Sequence, residues 1–294
     1  MKKLIAKGVD VECDDVEGNT PLHNAILNGH RDSVKTLMQA GAGIEIINSE
    51  YETPFHVAVD RGDQETVTAL LAANVDVDAR DRDGNTPLHI ACIRGYESLT
   101  RTLIAKEADC GALGAGGNTP LHLGAKFGGW PAVMALLETD INLDALNDEL
   151  NTPLHLAAGS KSSTVVRALL DAKARRFVLN NEGNLPLHFA CKEGNDDAVQ
   201  LLVLRGPVEM LNAQNKQGYT PLHFAAEHQQ TEIVKVLIAV GANIDIKDEV
   251  CSVLSSISLL YSCENCEIGR EHALQCSTWM VQRIERAFDP QTVC

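Results

Sequence analysis

Residues 20–52 decide the fold and read TPLHNAILNGHRDSVKTLMQAGAGIEIINSEYE. Thr20 offers a hydroxyl that can cap a helix, and Pro21 suits the first helical position because its missing N–H would have no partner there. The following residues predict a short helix that ends near Gly29, a second helix over DSVKTLMQAG and an extended finger over GIEIINSEYE. The apolar residues of the second helix recur at helical spacing and are Val34, Leu37 and Met38. This stretch therefore predicts a helix-turn-helix unit followed by a finger.

The TPLH tetrapeptide recurs along the chain, either identical or with one substitution. Its prolines stand at positions 21, 54, 87, 120, 153, 186 and 221, so five intervals are 33 residues long and the last is 35. Self-similarity at a fixed period of this length predicts a stacked array, in which neighbouring units bury each other's apolar faces.

By these seven copies and their spacing, the chain resembles the ankyrin-repeat family over residues 4–248. The resemblance implies an all-α solenoid of stacked helix-turn-helix units with projecting β-hairpin fingers. It also implies three segments: residues 1–14 as the trailing half of a repeat, residues 15–248 as seven repeats, and residues 249–294 as a cysteine-rich tail that can form a degenerate C-terminal cap.

The opening residues, MKKLIAKGVDVECD, fit the end of a repeat better than a targeting signal. Leu4 and Ile5 precede Pro21 by seventeen and sixteen residues, the spacing that Leu70 and Leu71 keep from the next proline in a complete repeat. The apolar run is too short for a signal-peptide core. We therefore expect further repeats before this half repeat, in a longer protein.

Composition narrows the class of partner. The formal net charge is −15, which argues against a nucleic-acid or anionic membrane surface and favours a protein segment that is basic or mixed basic and apolar. No apolar run reaches the length of a membrane span. The nine cysteines are odd in number and no export signal accompanies them, which favours a cytoplasmic or nuclear location.

No catalytic motif is found in the sequence, so we expect a non-enzymatic protein without a cofactor, and a monomer. Phosphate-binding loops, nucleophile elbows and paired zinc-binding histidines on a helix are all missing from the sequence. Seven of the ten histidines follow the repeat proline by two residues, which indicates a structural role. Cys92 and Cys191 occupy a small-residue core position, so we interpret them as packed thiols.

Ankyrin resemblance implies that a partner binds on the concave surface, through the finger tips and the exposed edge of each first helix. The candidate residues at the finger tips are Glu50, Glu52 and Asp83, and those at the helix edge are Arg61, Ile93, Arg94, Lys126 and Phe127. Apolar side chains beside arginine are typical of interface hot spots.

Three substitutions interrupt the repeat pattern. Tyr51 and Leu150 replace the finger glycine that other repeats keep, and Leu185 replaces the capping threonine. We expect altered tips or caps in these repeats.

The tail carries a possible metal site. Its ligands would follow the pattern C-x2-C-x5-H-x3-C and are Cys263, Cys266, His272 and Cys276. The alternative is that the tail caps the last repeat, whose apolar face would otherwise be exposed.

Three functions remain open from the sequence. The leading hypothesis is a non-enzymatic scaffold or adaptor that binds another protein. The second is the partner-recruiting portion of a larger enzyme, channel or ubiquitin ligase. The third is a zinc-dependent function of the tail.

Overall fold

A computed structural model describes residues 11–204 and 206–246. This part of the chain contains fourteen α-helices, which follow one another as seven pairs, and a short turn joins the two helices of each pair. The helices are α1 Pro21–Leu27, α2 Arg31–Gln39, α3 Pro54–Asp60, α4 Gln64–Ala72, α5 Pro87–Arg94, α6 Glu97–Ile104, α7 Pro120–Phe127, α8 Trp130–Leu137, α9 Pro153–Gly159, α10 Ser163–Asp171, α11 Pro186–Glu193, α12 Asp196–Val203, α13 Pro221–Glu227 and α14 Thr231–Ala239. Two short 3₁₀ helices span Ala115–Gly117 and Val208–Asn212.

The chain divides into two compact units. Unit 1 runs to Pro153 and includes Asp171–Ala174, and unit 2 comprises Leu154–Leu170 and the residues from Arg175 onward. Within unit 1 the first helices of successive repeats pack on one another, α1 on α3, α3 on α5 and α5 on α7. Within unit 2, α11 packs on α13 and α12 on α14. The helical repeats predicted from the sequence are confirmed.

The core of each unit consists of the apolar residue that follows the repeat proline and of the leucines that face it from the second helices. In unit 1 the largest fully buried side chains are Leu22, Ile26, Phe55, Leu70, Leu88, Leu103, Leu121 and Leu136. Burying one such side chain stabilises the fold by about 1.5–3 kcal/mol. Each repeat supplies too few of them to fold alone, so its stability comes from contact with its neighbours.

The histidines of the first six TPLH-type copies connect two repeats. His23 Nδ1 accepts the Thr20 backbone N–H at 3.2 Å, and its Nε2 lies 3.0 Å from the Glu52 carbonyl oxygen, 29 residues further on. A neutral ring with its proton on Nε2 satisfies both contacts. The same contact from Nε2 to a carbonyl of the next finger, at 3.0–3.2 Å, is made by His89, His122, His155 and His188. His56 Nε2 lies 3.0 Å from the carbonyl oxygen of Ala79, just before the next finger. The structural interpretation of these histidines is confirmed.

The six residues before each capping position form a finger. Fingers 1 to 7 are residues 14–19, 47–52, 80–85, 113–118, 146–151, 179–184 and 214–219. Residues 11–204 and 206–246 contain no β-strand, so the β-hairpin form expected for the fingers is not shown. Asn48 instead folds finger 2 as a turn: its Oδ1 accepts the N–H groups of Glu50 and Glu52, both at 2.9 Å.

Successive fingers are joined by two kinds of hydrogen bond. The backbone N–H of Ser49 donates to the Glu17 carbonyl at 3.0 Å, and that of Arg82 donates to the Glu50 carbonyl at 2.9 Å. Asparagine side chains add a second link, because Asn48 Nδ2 donates to Asn19 Oδ1 at 3.1 Å. The equivalent amide contacts, both at 2.9 Å, join Asn147 to Asn118 in unit 1 and Asn215 to Asn184 in unit 2.

The tips at Tyr51 and Leu150 keep the ordinary turn, contrary to the expectation of an altered tip. Their backbone N–H groups donate to Asn48 and Asn147 carbonyls at 3.0 and 2.8 Å, as Gly84 donates to Asp81 at 3.0 Å. The two residues achieve this by adopting the left-handed conformation themselves, with φ of 60° and 58°.

The cap at Leu185 does change. The Leu185 side chain has no oxygen to accept the N–H of His188, which donates to the Leu185 backbone carbonyl at 2.9 Å instead. The Leu185 N–H to His188 Nδ1 bond of 2.9 Å persists. The Leu185 side chain is fully buried in exchange. The expectation of an altered cap is confirmed at this repeat.

Several expectations concern residues outside the described part of the chain. The half repeat over residues 1–14 falls largely there, and the tail over 249–294 falls there entirely, together with Cys263, Cys266, His272 and Cys276. Within residues 11–204 and 206–246, no helix is both long and apolar enough to cross a lipid bilayer.

Candidate functional site

The candidate binding residues lie in two rows of unit 1. The finger row is formed by the tips of fingers 2 and 3 and contains Glu50, Glu52 and Asp83. The helix-end row is formed by the C-terminal ends of the first helices and contains Arg61, Ile93, Arg94, Lys126 and Phe127. The hydrogen bonds described below link Arg61, Arg94 and Glu50 to neighbouring repeats, and the binding role of the candidates stays a prediction.

The two arginines of the helix-end row are bound to the preceding repeat. Arg94 Nε and Nη2 donate to the two carboxylate oxygens of Asp60 at 2.8 and 3.1 Å, and Arg61 Nη1 donates to the Leu27 carbonyl. Both arginines are solvent-exposed, so each contact stabilises the fold by at most about 1 kcal/mol. A partner group that binds the Arg94 guanidinium must bind it alongside the Asp60 carboxylate. Ile93 is partly buried beside it.

Phe127 and Trp130 stand three positions apart on either side of the turn from α7 to α8, at the end of the helix-end row, and together with Lys126 they are called the aromatic cluster. Phe127 is 56% exposed and Trp130 is 45% exposed. Lys126 Nζ lies 5.6 Å from the centroid of the Phe127 ring, within range of a cation–π contact. Large aromatic side chains at this exposure leave apolar area in water that a partner can cover.

A close backbone approach fixes the turn under the aromatic cluster. A Cβ atom on Gly129 would lie 2.2 Å from the Cys92 carbonyl oxygen, so the turn between α7 and α8 sits directly against α5. Gly128 caps α7 in the left-handed conformation, with φ of 73°. The aromatic cluster is therefore held on a rigid support.

Trp130 is a candidate that the sequence prediction missed, although a signal was present. It is the first residue of α8, ten positions after the repeat proline. At that position the other six repeats have polar residues, namely Arg31, Gln64, Glu97, Ser163, Asp196 and Thr231.

Glu50 and Glu52 differ in the finger row. Arg82 Nη1 donates to both carboxylate oxygens of Glu50 at 3.0 Å, and this pair is exposed on both sides. Glu52 is partly buried, and its carboxylate accepts a bond from Asn48 Nδ2 at 3.0 Å. Glu52 therefore supports the turn, whereas Glu50 and the exposed Asp83 face solvent.

The sequence prediction also missed a second row on the fingers, which is apolar and is called the apolar finger row. It lies seven residues before the repeat proline, where Ile47, Leu113 and Leu146 in unit 1 are each about half exposed. The same position in unit 2 holds Leu179, which is equally exposed. Three other repeats have polar residues there, namely Asp14, Arg80 and Gln214. This contrast was readable from the aligned repeats.

The described residues offer little for catalysis or metal binding. Within residues 11–204 and 206–246, no group of histidine, cysteine and carboxylate side chains is arranged to hold a metal ion. Cys92 and Cys191 are fully buried, and burial raises the pKa of both thiols, which keeps them protonated and unreactive. The packed-thiol interpretation is confirmed.

A groove lined by Ile44, Ile47, Val75 and Arg80 lies between fingers 2 and 3. Its volume is about 270 Å³. Pockets that enclose small organic ligands commonly measure about 300–1,000 Å³. The groove is therefore small for such a ligand, and the exposed rows are the more extensive candidate surface.

Comparison with known families gives two results. A family model described as ankyrin repeats (3 copies) matches residues 40–113, 103–178 and 172–248, and a second described as ankyrin repeats (many copies) matches residues 4–58. No curated protein matches the chain.

Proposed function

The chain belongs to the ankyrin-repeat family, and from that premise we propose that it is a non-enzymatic scaffold or adaptor that binds another protein through the finger row and the helix-end row. Ankyrin repeats are generally protein-interaction modules, which supports the class of function. The residues described above support the surface.

The observation that carries this proposal is the aromatic cluster of Phe127, Trp130 and Lys126. Aromatic side chains and cations are enriched among the residues that dominate binding energy at protein interfaces. The cluster stands on a turn that close packing against α5 holds in place. Little conformational entropy would therefore be lost when a partner covers it.

Charge supports a partner segment that is basic or mixed basic and apolar. The chain has 40 acidic residues against 25 lysines and arginines. A negative field of this kind steers positively charged segments to the surface and repels acidic ones. The apolar finger row and the aromatic cluster would accept the apolar side chains of such a segment.

The proposal includes a monomer in the cytoplasm or the nucleus. Among the described residues, Cys92, Cys110 and Cys191 are free thiols. Free thiols in a chain of this length fit a reducing compartment.

The test is affinity capture with the full chain and with the double variant Phe127→Ala/Trp130→Ala. The control is Val208→Ala, which removes an exposed apolar side chain elsewhere, in unit 2. We expect the double variant to lose at least one partner that the control retains, and that partner to bind less tightly as salt is raised. Equal recovery of every partner would exclude the aromatic cluster as the binding surface.

A further inference from the structure

Fingers 2 and 5 place large side chains where the other fingers have glycine. Tyr51 and Leu150 adopt φ of 60° and 58°, in the left-handed region that glycine occupies without strain. Gly18, Gly84, Gly117, Gly183 and Gly218 hold the equivalent position in the remaining fingers, with φ of 68–80°. For a side chain with a Cβ atom this conformation is unfavourable, and for tyrosine and leucine it is uncommon.

Burial does not offset this strain. Tyr51 is 53% exposed and Leu150 is 44% exposed. The turn itself needs neither side chain, because glycine closes it with the same hydrogen bond in the other fingers. Strained residues that contribute little to the fold are typical of binding sites.

The same two fingers carry a second exposed apolar residue. Ile47 lies four positions before Tyr51, and Leu146 lies four positions before Leu150, each about half exposed. We call these the two apolar pairs, Ile47–Tyr51 and Leu146–Leu150. Fingers 3 and 4, which lie between them, lack the combination, because finger 3 has Arg80 with Gly84 and finger 4 has Leu113 with Gly117. The combination thus occurs twice in unit 1, three repeats apart.

Acidic residues flank both apolar pairs. Glu50 and Glu52 surround Tyr51, and Asp148 and Glu149 precede Leu150. Finger 3 has two arginines and two aspartates, and its Arg82 pairs with Glu50, so fingers 2 and 3 together carry a net charge of −2, as finger 5 does. An occupant of this surface therefore needs positive charge near each end and apolar side chains that reach the pairs.

The spacing of the pairs sets the length of the occupant. Packed helices lie about 8–10 Å apart, so three repeat steps separate the pairs by about 24–30 Å. An extended chain advances about 3.3 Å per residue, so about eight or nine residues cover that distance.

We propose that fingers 2 to 5 bind an extended basic segment of a partner protein, whose apolar side chains, about eight or nine residues apart, pack on Ile47–Tyr51 and Leu146–Leu150. This assignment rests on the proposed function and adds the chemistry of the partner to it. It adds Tyr51 and Leu150 to the surface of the proposed function, and neither pair belongs to the aromatic cluster.

The experiment selects random peptides of about 16 residues, displayed on phage, against the full chain at low ionic strength. We expect the enriched peptides to be basic, with apolar residues about eight or nine positions apart. Measured by fluorescence anisotropy, their Kd should rise about tenfold or more for Tyr51→Gly/Leu150→Gly. Val208→Ser, a change at an exposed apolar residue of unit 2, should leave the Kd unchanged.

Thermal unfolding of the same variants separates binding from folding. Glycine fits the left-handed conformation, so Tyr51→Gly/Leu150→Gly should unfold at the same temperature as the wild type or a higher one. A lower unfolding temperature together with weaker binding would mean that the two side chains support the fold, and would overturn the assignment.

The remaining outcomes distinguish this assignment from the proposed function. Peptides that bind the double glycine variant as tightly as the wild type overturn the assignment. If their binding is instead lost with Phe127→Ala/Trp130→Ala, the proposed function stands without it. Failure to enrich any basic peptide contradicts both.

Discussion

His188 Nε2 lies 3.2 Å from the carbonyl oxygen of Tyr219, so one imidazole ring joins the first helix of a repeat to the finger that follows it. On its other side, Nδ1 accepts the Leu185 N–H at 2.9 Å. Protonation of Nδ1 would replace this acceptor with a second donor. Burial lowers the pKa of His188 to about 4, and it also lowers the pKa of His23, His56, His89 and His122.

We expect stability to fall with pH below about 6.5, the unfolded pKa of histidine. The unfolded chain takes up protons there while the buried rings stay neutral, so the loss continues until the folded pKa is reached. For His188, with a folded pKa of about 4, the loss between pH 6.5 and pH 5 is about 2 kcal/mol. Urea unfolding at a series of pH values measures it.

The matched variant for this prediction is His188→Gln, which has no titrating group. It should be less stable than the wild type at pH 7.5, but its stability should decrease less between pH 6.5 and pH 5. Parallel pH profiles for the two proteins would contradict the assignment of the loss to His188.

Two finger glycines should respond differently to alanine, although both have positive φ. A Cβ on Gly183 would lie 3.0 Å from the Lys216 backbone nitrogen, whereas one on Gly84 would meet only Arg80 Nη1, at 4.0 Å. Gly84→Ala should cost about 1 kcal/mol, for the left-handed conformation alone. Gly183→Ala should cost about 2–3 kcal/mol, because the backbone of finger 7 must also move. Chemical denaturation of both variants tests this order.

Tyr51→Gly should stabilise the protein by about 0.5–1 kcal/mol. Relief of the left-handed conformation gains about 1–2 kcal/mol, and the greater freedom of glycine in the unfolded chain returns about 0.4–1 kcal/mol of it. Differential scanning calorimetry should show the increase. Tyr51→Ala retains the Cβ atom and the strain, so it is the control that should show no gain.

Leu185→Thr should destabilise the protein, although it restores the residue of the other six repeats. A threonine cap contributes about 1 kcal/mol. The buried Leu185 side chain contributes about 1.5–3 kcal/mol, most of which the smaller and polar threonine loses. We expect a net loss of about 1 kcal/mol in urea unfolding. A gain in stability would show that the cap outweighs the burial.

The first helices were predictable from the sequence because six of the seven begin at the proline of a TP pair, and the second helices because they follow with the period of the repeat. The fingers were less predictable, because the side chains of Asn48 and its equivalents accept the backbone N–H groups of the turn, without the ladder of hydrogen bonds that a β-hairpin has. An altered cap was expected at Leu185, which the structure confirms, but the burial of its side chain depends on tertiary contacts that a sequence does not display.

Candidate binding residues could be predicted only at the repeat positions where the ankyrin resemblance implies contact with a partner. Phe127 lay at such a position, and Trp130 three residues later did not. Tyr51 and Leu150 were noticed as substitutions, yet their effect was misjudged, because the surrounding hydrogen bonds impose the left-handed turn on whichever residue is present.

The asparagine contacts between fingers are open to a slow chemical change as the protein ages. Asn147 Nδ2 donates to Asn118 Oδ1 at 2.9 Å, and Asn215 Nδ2 donates to Asn184 Oδ1 at the same distance. Spontaneous deamidation exchanges that nitrogen for an oxygen and adds a negative charge. At either position the donor would become an acceptor facing another acceptor, so the amide contact would be lost and the two fingers would be joined by their backbone hydrogen bond. An aged molecule would thus differ from a new one by a single atom at the joint between two repeats.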